Sequence, residues 1–119
     1  MPEQVDPQVR EIADEALSIL DEWRGSSQSL SRESLCARIG CDDRTLREAL
    51  RLLRLDGYLV IAVPSGGYRF ATCHEDVQGY LRQMKSRIKK QSAVVTVMEH
   101  RAKQEFGEPV EQLSMGLGS

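Results

Sequence analysis

LSRESLCARIGCDDRTLREALRLLRLDGYLVIAVPSGGYRF, residues 30 to 70, is the stretch whose reading decides the fold. Ser31 stands where it caps a short helix carrying Leu35, Cys36 and Ile39, and Gly40 stops that helix where a left-handed backbone residue is wanted. Asp42 caps the next helix at once. That helix sets Leu46, Ala49, Leu50 and Leu53 on one face and Arg44, Arg47 and Arg51 on the other, and Gly57 ends it. Tyr58 to Val63 is then rich in β-branched and large apolar residues, and Tyr68 to Ala71 resumes an extended pattern beyond Pro64, Ser65, Gly66 and Gly67. Two helices joined by a tight turn and followed by a β-hairpin are expected. The apolar face packs, and the arginine face is left for a partner.

Upstream, Val9, Ile12, Ala13, Ala16, Leu20 and Trp23 recur at three- and four-residue steps after Pro7, which describes an amphipathic helix ended by Gly25, Ser26 and Ser27. It is expected to cover the back of the other two helices, with Gln28 to Leu30 supplying a short third strand. Trp23, at the end of the stripe, reads as a core residue, with ligand stacking or an interface as the alternative. Leu52 and Leu55 make the arginine-bearing helix apolar over more of its circumference than one core requires. Either the acidic first helix or a second subunit covers them.

Downstream, Thr72 to Glu75 fits a capping box, in which the threonine oxygen accepts from the backbone three residues on and Glu75 reaches back. From there Val77, Leu81, Met84, Ile88, Gln91, Val95, Met98 and Ala102 alternate steps of four and three, the spacing of a coiled-coil seam. Gly107 and Pro109 stop a helix of roughly 34 residues, about 50 Å at 1.5 Å per residue. A stripe of that length exceeds what so small a domain covers. The simplest partner is the same helix of a second subunit, a homodimer in which Gln91 sets the register. The alternative is a helix folded back on its own domain, with the β-branched run Val94, Val95, Thr96, Val97 marking a kink or a strand.

The chain has 119 residues and a formal net charge of −2, so any cationic surface comes from segregation of charge and not from excess. Residues 1–25 carry seven acids against Arg10 and Arg24, whereas 26–104 hold fourteen of the sixteen basic residues against eight acids. No basic flank precedes an apolar run at the N-terminus, and no 18 apolar residues are consecutive, so neither export nor membrane insertion is expected and the cytoplasm is the expected compartment. Three cysteines in that setting do not suggest a disulfide framework. Cys36, Cys41, Cys73 and His74 match no common zinc spacing, and no Ser-His-Asp, paired-carboxylate or phosphate-loop arrangement occurs, so neither a metal, a cofactor nor an enzyme is expected.

The order helix, turn, helix, hairpin, with the spacing of Leu35, Ile39, Gly40, Leu46, Leu50, Leu53 and Gly57 and the closing Gly66-Gly67-Tyr68-Arg69-Phe70, resembles the winged helix-turn-helix domains of bacterial regulators over roughly residues 8 to 71. The hairpin followed by an acidic and then basic helix is also similar to small winged-helix proteins of phages and prophages. The resemblance implies a mainly α fold with a small β-hairpin wing over residues 1–71; the seam spacing adds a long amphipathic dimerisation helix, 72–107, followed by a flexible tail, 108–119. The resemblance also implies double-stranded DNA as the partner. Arg44, Thr45, Arg47, Glu48 and Arg51 would enter a major groove; Ser65, Gly66 and Arg69 of the wing would approach the backbone or minor groove; and Arg82, Lys85 and Lys89, on one stripe of the long helix, would extend the phosphate contacts. The expected function is sequence-specific DNA binding by a homodimer in transcriptional regulation, with any small-molecule effector unidentified. A phage or plasmid accessory role in replication, excision or packaging, and a protein-interaction module that never meets DNA, are the alternatives.

Overall fold

A computed structural model describes residues 5–109. The element order is α1 (Pro7–Asp21), β1 (Leu30–Ser31), α2 (Arg32–Ile39), α3 (Asp43–Leu55), β2 (Val60–Ala62), β3 (Gly67–Phe70) and α4 (His74–Phe106). The chain is therefore mainly helical, with one small antiparallel sheet and a long C-terminal helix. It divides into two compact units, Met1–Leu81 and Arg82–Ser119.

Local chemistry accounts for each boundary in the first unit. Asp6 caps α1 by accepting from the Gln8 N–H at 2.9 Å, with Pro7 in the first turn, where its missing N–H costs nothing. Ser31 caps α2 through the Ser34 N–H at 3.0 Å, and Gly40, at φ +84°, returns its own N–H to the Cys36 carbonyl. Three residues, Gly40 to Asp42, make the whole turn into α3. The end of α3 is a Schellman closure: Tyr58 N–H donates to the Leu53 carbonyl and Gly57 N–H to that of Arg54, with Gly57 at φ +101°.

The core lies between these helices and one face of the sheet. Val9, Ile12, Ala13, Ala16 and Leu20 of α1 face Leu46, Ala49, Leu50, Leu52 and Leu53 of α3, joined by Leu30, Leu35, Val60 and Phe70. The small side chains Ala13, Ala16 and Ala49 are fully buried, and α1 packs chiefly on α3. Trp23 packs half-buried against the same cluster, as expected of it. Leu52 is buried with the core, so the domain itself covers it; Leu55 remains 63% exposed.

The sheet order is β1-β3-β2, with Leu30 opposite Tyr68 and Val60 opposite Phe70. The third strand lies at Leu30–Ser31 and not at Gln28–Leu30, and β2 is shorter than the expected Tyr58–Val63 because the Tyr58 N–H is engaged in closing α3. Pro64 and Ser65 occupy a turn closed by Gly66 N–H to the Val63 carbonyl, followed by Gly66 at φ +99°, a common three-residue hairpin connection. Gly67 serves a different need. A Cβ there would lie 2.7 Å from the Leu30 carbonyl oxygen and 2.8 Å from Ser29 Oγ, so β1 pairs this closely only with glycine.

The start of α4 belongs to the first unit, which reaches Leu81 and not only Ala71. Asp76, and not Glu75, reaches back to Thr72: its carboxylate accepts from the Thr72 N–H at 2.8 Å and the Thr72 hydroxyl at 2.9 Å. The same oxygen accepts from Arg69 Nη1 at 2.9 Å, which ties β3 to α4. Arg54 of α3 donates to the Val60 carbonyl at 2.8 Å and stands 5.1 Å from the centre of the Tyr80 ring.

In the second unit α4 stays helical through the run Val94 to Val97, which is therefore not a strand. Helix propensity differences of a few tenths of a kcal/mol per residue do not break a helix continuous on both sides. The Thr96 hydroxyl donates back to the Ser92 carbonyl at 3.1 Å. Gly107, at φ +81°, ends the helix by donating to the Lys103 carbonyl. Of the expected tail, 108–119, residues 110–119 lie outside the described residues.

Candidate nucleic-acid interface

α3 is built so that one face cannot turn outward and the other cannot turn in. Leu46, Ala49 and Leu50 are fully buried, and at 100° per residue this leaves Arg44, Arg47, Glu48 and Arg51 exposed on the far side. Thr45 is half-buried, its N–H donating to the Asp42 cap at 2.8 Å. The hydrogen bonds from Thr45 hold the Asp42 carboxyl below its usual range, so this acid serves the helix terminus as an anion.

The second acid of the first turn is also engaged. Asp43 Oδ2 lies 3.2 Å from Arg47 Nε, and Asp43 Oδ1 lies 3.0 Å from Arg32 Nε, the latter an ion pair and not an aligned hydrogen bond. Asp43 is thus shared by two guanidinium groups, of which that of Arg32 also lies 3.9 Å from Glu33 Oε2. Arg32 therefore joins the candidate surface, which spacing along the chain did not reveal, because Arg32 and Asp43 sit on different helices. Tyr68 is half-buried against the core beside this cluster, and burial pushes its phenol up, with Asp43 adding to the shift.

At the hairpin, Ser65 and Gly66 are exposed at the tip. Arg69 is not. Its side chain is 13% exposed, donating to the Phe70 carbonyl at 3.1 Å as well as to Asp76, so its guanidinium fastens β3 to α4 and does not project toward a partner. Its expected place among the DNA contacts is corrected on that geometry. The exposed cations of the second unit include Arg82, Lys85 and Lys89, which share one stripe of α4.

The seam residues divide between the units. Val77 is half-buried in the first, and Leu81 closes it. In the second, Met84 is half-buried while Ile88, Gln91, Val95, Met98 and Ala102 are exposed, with Ile88 at 59% and Val95 at 53%. No residue of α4 is buried among the described residues.

Cys36 and Cys41 are free thiols packed half-buried against the core, and burial raises the Cys41 thiol. Among the described residues no group of three or more histidine, cysteine or carboxylate side chains is placed to hold a metal ion, and no helix is long and apolar enough to cross a membrane. No family model matches the chain, and no curated protein or solved structure is significantly similar to it.

Proposed function

We propose that the first unit is a winged helix-turn-helix that binds double-stranded DNA, α3 entering the major groove and the tip of the β2–β3 hairpin lying against the backbone. The observation that carries this reading is the arginine face of α3: Arg44, Arg47 and Arg51 exposed opposite a wholly buried leucine face, with both acids of the first turn already engaged. Arginine forks match guanine O6 and N7 in the major groove, and Glu48 can accept from cytosine N4. Arg32 beside Asp43, with Ser65 and Gly66 at the hairpin tip, is suited to phosphate, which positions a domain without reading sequence. Arg82 and Lys89 extend the phosphate contacts. The protein acts without a cofactor, as a cytoplasmic, non-enzymatic homodimer that recognises two half-sites in transcriptional regulation.

The test is an anisotropy titration of a labelled random duplex at several salt concentrations, followed by selection of bound fragments from random DNA. Binding that weakens steeply with salt, and a selected site with two related halves, are expected. Absence of binding at low salt would sink the DNA reading. The exposed Leu55 and Leu59 would then point to a protein partner instead.

A further inference from the structure

We infer that α4 pairs with a second copy of itself in the antiparallel direction, with Lys85 of each copy beside Glu99 of the other; this rests on the homodimer reading and gives it a geometry. The apolar stripe is there and uncovered: Leu81, Ile88, Val95 and Met98 are all exposed in the single chain. An apolar face alone does not say what covers it, but the charges beside it do. Between Val77 and Lys90 the helix carries five cations and no acid, whereas from Gln91 to Phe106 two acids balance two cations.

A parallel, in-register pair would lay two such five-cation segments side by side, within a Debye length of about 8 Å. The antiparallel pair, with Leu81 opposite Met98, sets residues 77–88, with Arg82, Lys85 and Arg87, against residues 91–102, whose Glu99 and Arg101 balance, and leaves only Lys89 and Lys90 of the two copies facing one another, at the outward b and c positions. Flanking positions sharpen the choice. With Leu81, Ile88 and Val95 at a and Met84, Gln91 and Met98 at d, Lys85 and Glu99 occupy e, while Arg87, Val94 and Arg101 occupy g. Antiparallel coils bring e against e and g against g. The register that sets Leu81 opposite Met98 and Met84 opposite Val95 also sets Lys85 opposite Glu99, twice by symmetry, and Arg87 opposite Val94. Parallel pairing instead sets Lys85 against Tyr80, Arg87 against Ser92 and Glu99 against Val94 of the other copy, so that Glu99 meets no cation.

In the antiparallel register Gln91 faces Ile88, and the two glutamines fall in adjacent central layers about 4.5 Å apart along the axis, near enough to bond one another across the two-fold. Lys85 is then engaged at the coil, which leaves Arg82 and Lys89 as the phosphate-facing cations of α4.

Charge exchange in the full chain, followed by sedimentation equilibrium without DNA, reads the direction. Lys85→Glu alone sets two acids opposite Glu99 and should raise the dimer dissociation constant roughly tenfold, and Glu99→Lys alone should do the same. Mixed, the two variants should form the heterodimer in preference to either homodimer, since both pairs are again of opposite sign, and 1 M salt should erase the preference. Circular dichroism checks that each variant keeps its helix content. Tighter dimerisation of Lys85→Glu, or no preference for the mixed pair, overturns the antiparallel arrangement and leaves the homodimer standing. A parent chain that remains monomeric at the highest attainable concentration overturns both.

Discussion

α3 and α4 both carry an apolar stripe, and the two stripes meet different fates. In the 13 residues of α3, five side chains are buried inside their own unit; in the 33 residues of α4, none is. Periodicity alone therefore reports that a face seeks cover, not where the cover comes from. What separates the two is what the rest of the chain brings to them. α1 and the sheet supply alanines, leucines and Phe70 to close over α3, whereas the exposed residues Ile88, Val95 and Met98 of α4 have no such complement among the described residues. Charge differs in the same way. The acids at the start of α3 are engaged by a helix cap and by Arg32 and Arg47, while the basic run of α4 holds no acid.

The contrast breaks most visibly under truncation. Leu50→Ala should destabilise the first unit by about 2 to 5 kcal/mol in chemical denaturation, because a fully buried side chain leaves a cavity. Ile88→Ala should change that unit's stability by no more than about 0.5 kcal/mol. Comparable destabilisation by the two substitutions would mean that the α4 stripe is covered by its own chain.

On DNA the two helices should also part. Arg44→Ala with Arg47→Ala should remove selectivity for the selected site, since each bidentate arginine grip on a base discriminates by about 1 to 3 kcal/mol. Arg82→Ala with Lys89→Ala should weaken all sequences alike and reduce the log–log salt slope by about 2, one for each phosphate no longer neutralised. A selective effect from the second pair would exchange the roles of the helices.

Glycines sharpen the comparison at smaller amplitude. Gly67→Ala should cost about 1 to 3 kcal/mol, because the added carbon meets the Leu30 carbonyl, a backbone atom that cannot swing aside. Gly79→Ala, inside α4 with nothing within 4 Å of the added carbon, should stabilise by about 0.5 to 1 kcal/mol. Thermal melts of the two variants should move in opposite directions.

Asp76 links the regions and supplies a pH test. Arg69, then Thr72, hold its carboxyl well below the usual carboxylate range in the folded chain. A folded pKa below the unfolded one contributes stability that is present at neutral pH and is lost as pH falls through the acid range. Asp76→Asn should therefore melt lower than the parent near neutrality, and the gap should narrow as the pH is lowered to about 3. A gap that is constant with pH would mean that the Arg69 ion pair contributes nothing to folding.

Most of the elements were legible in the chain. Ser31, Gly40, Asp42 and Gly57 bracket α2 and α3 because capping and left-handed turns depend on groups only a few residues apart. The capping box at Thr72 failed by one position, since Asp76 answers both Thr72 and Arg69, the latter on β3 seven residues before it. Within the candidate interface, Arg44, Arg47 and Arg51 were readable from helical periodicity. Arg32 was missed and Arg69 misplaced, because each owes its role to a carboxylate on another element.

By itself the sequence determined what short-range chemistry controls: where helices start and stop, which face of each is apolar, where the hairpin turns, and where cations gather. Only the tertiary structure decided which of those groups remain available. Arg69 and Arg54 are drawn inward by Asp76 and the Val60 carbonyl, Leu52 is covered and Leu55 is not, and Asp43 is held between two arginines. The physical reason is that a side chain's partner is set by proximity in space, and for groups on different elements, even six or seven residues apart as Arg54 is from Val60 and Arg69 from Asp76, no regular spacing along the chain encodes that proximity.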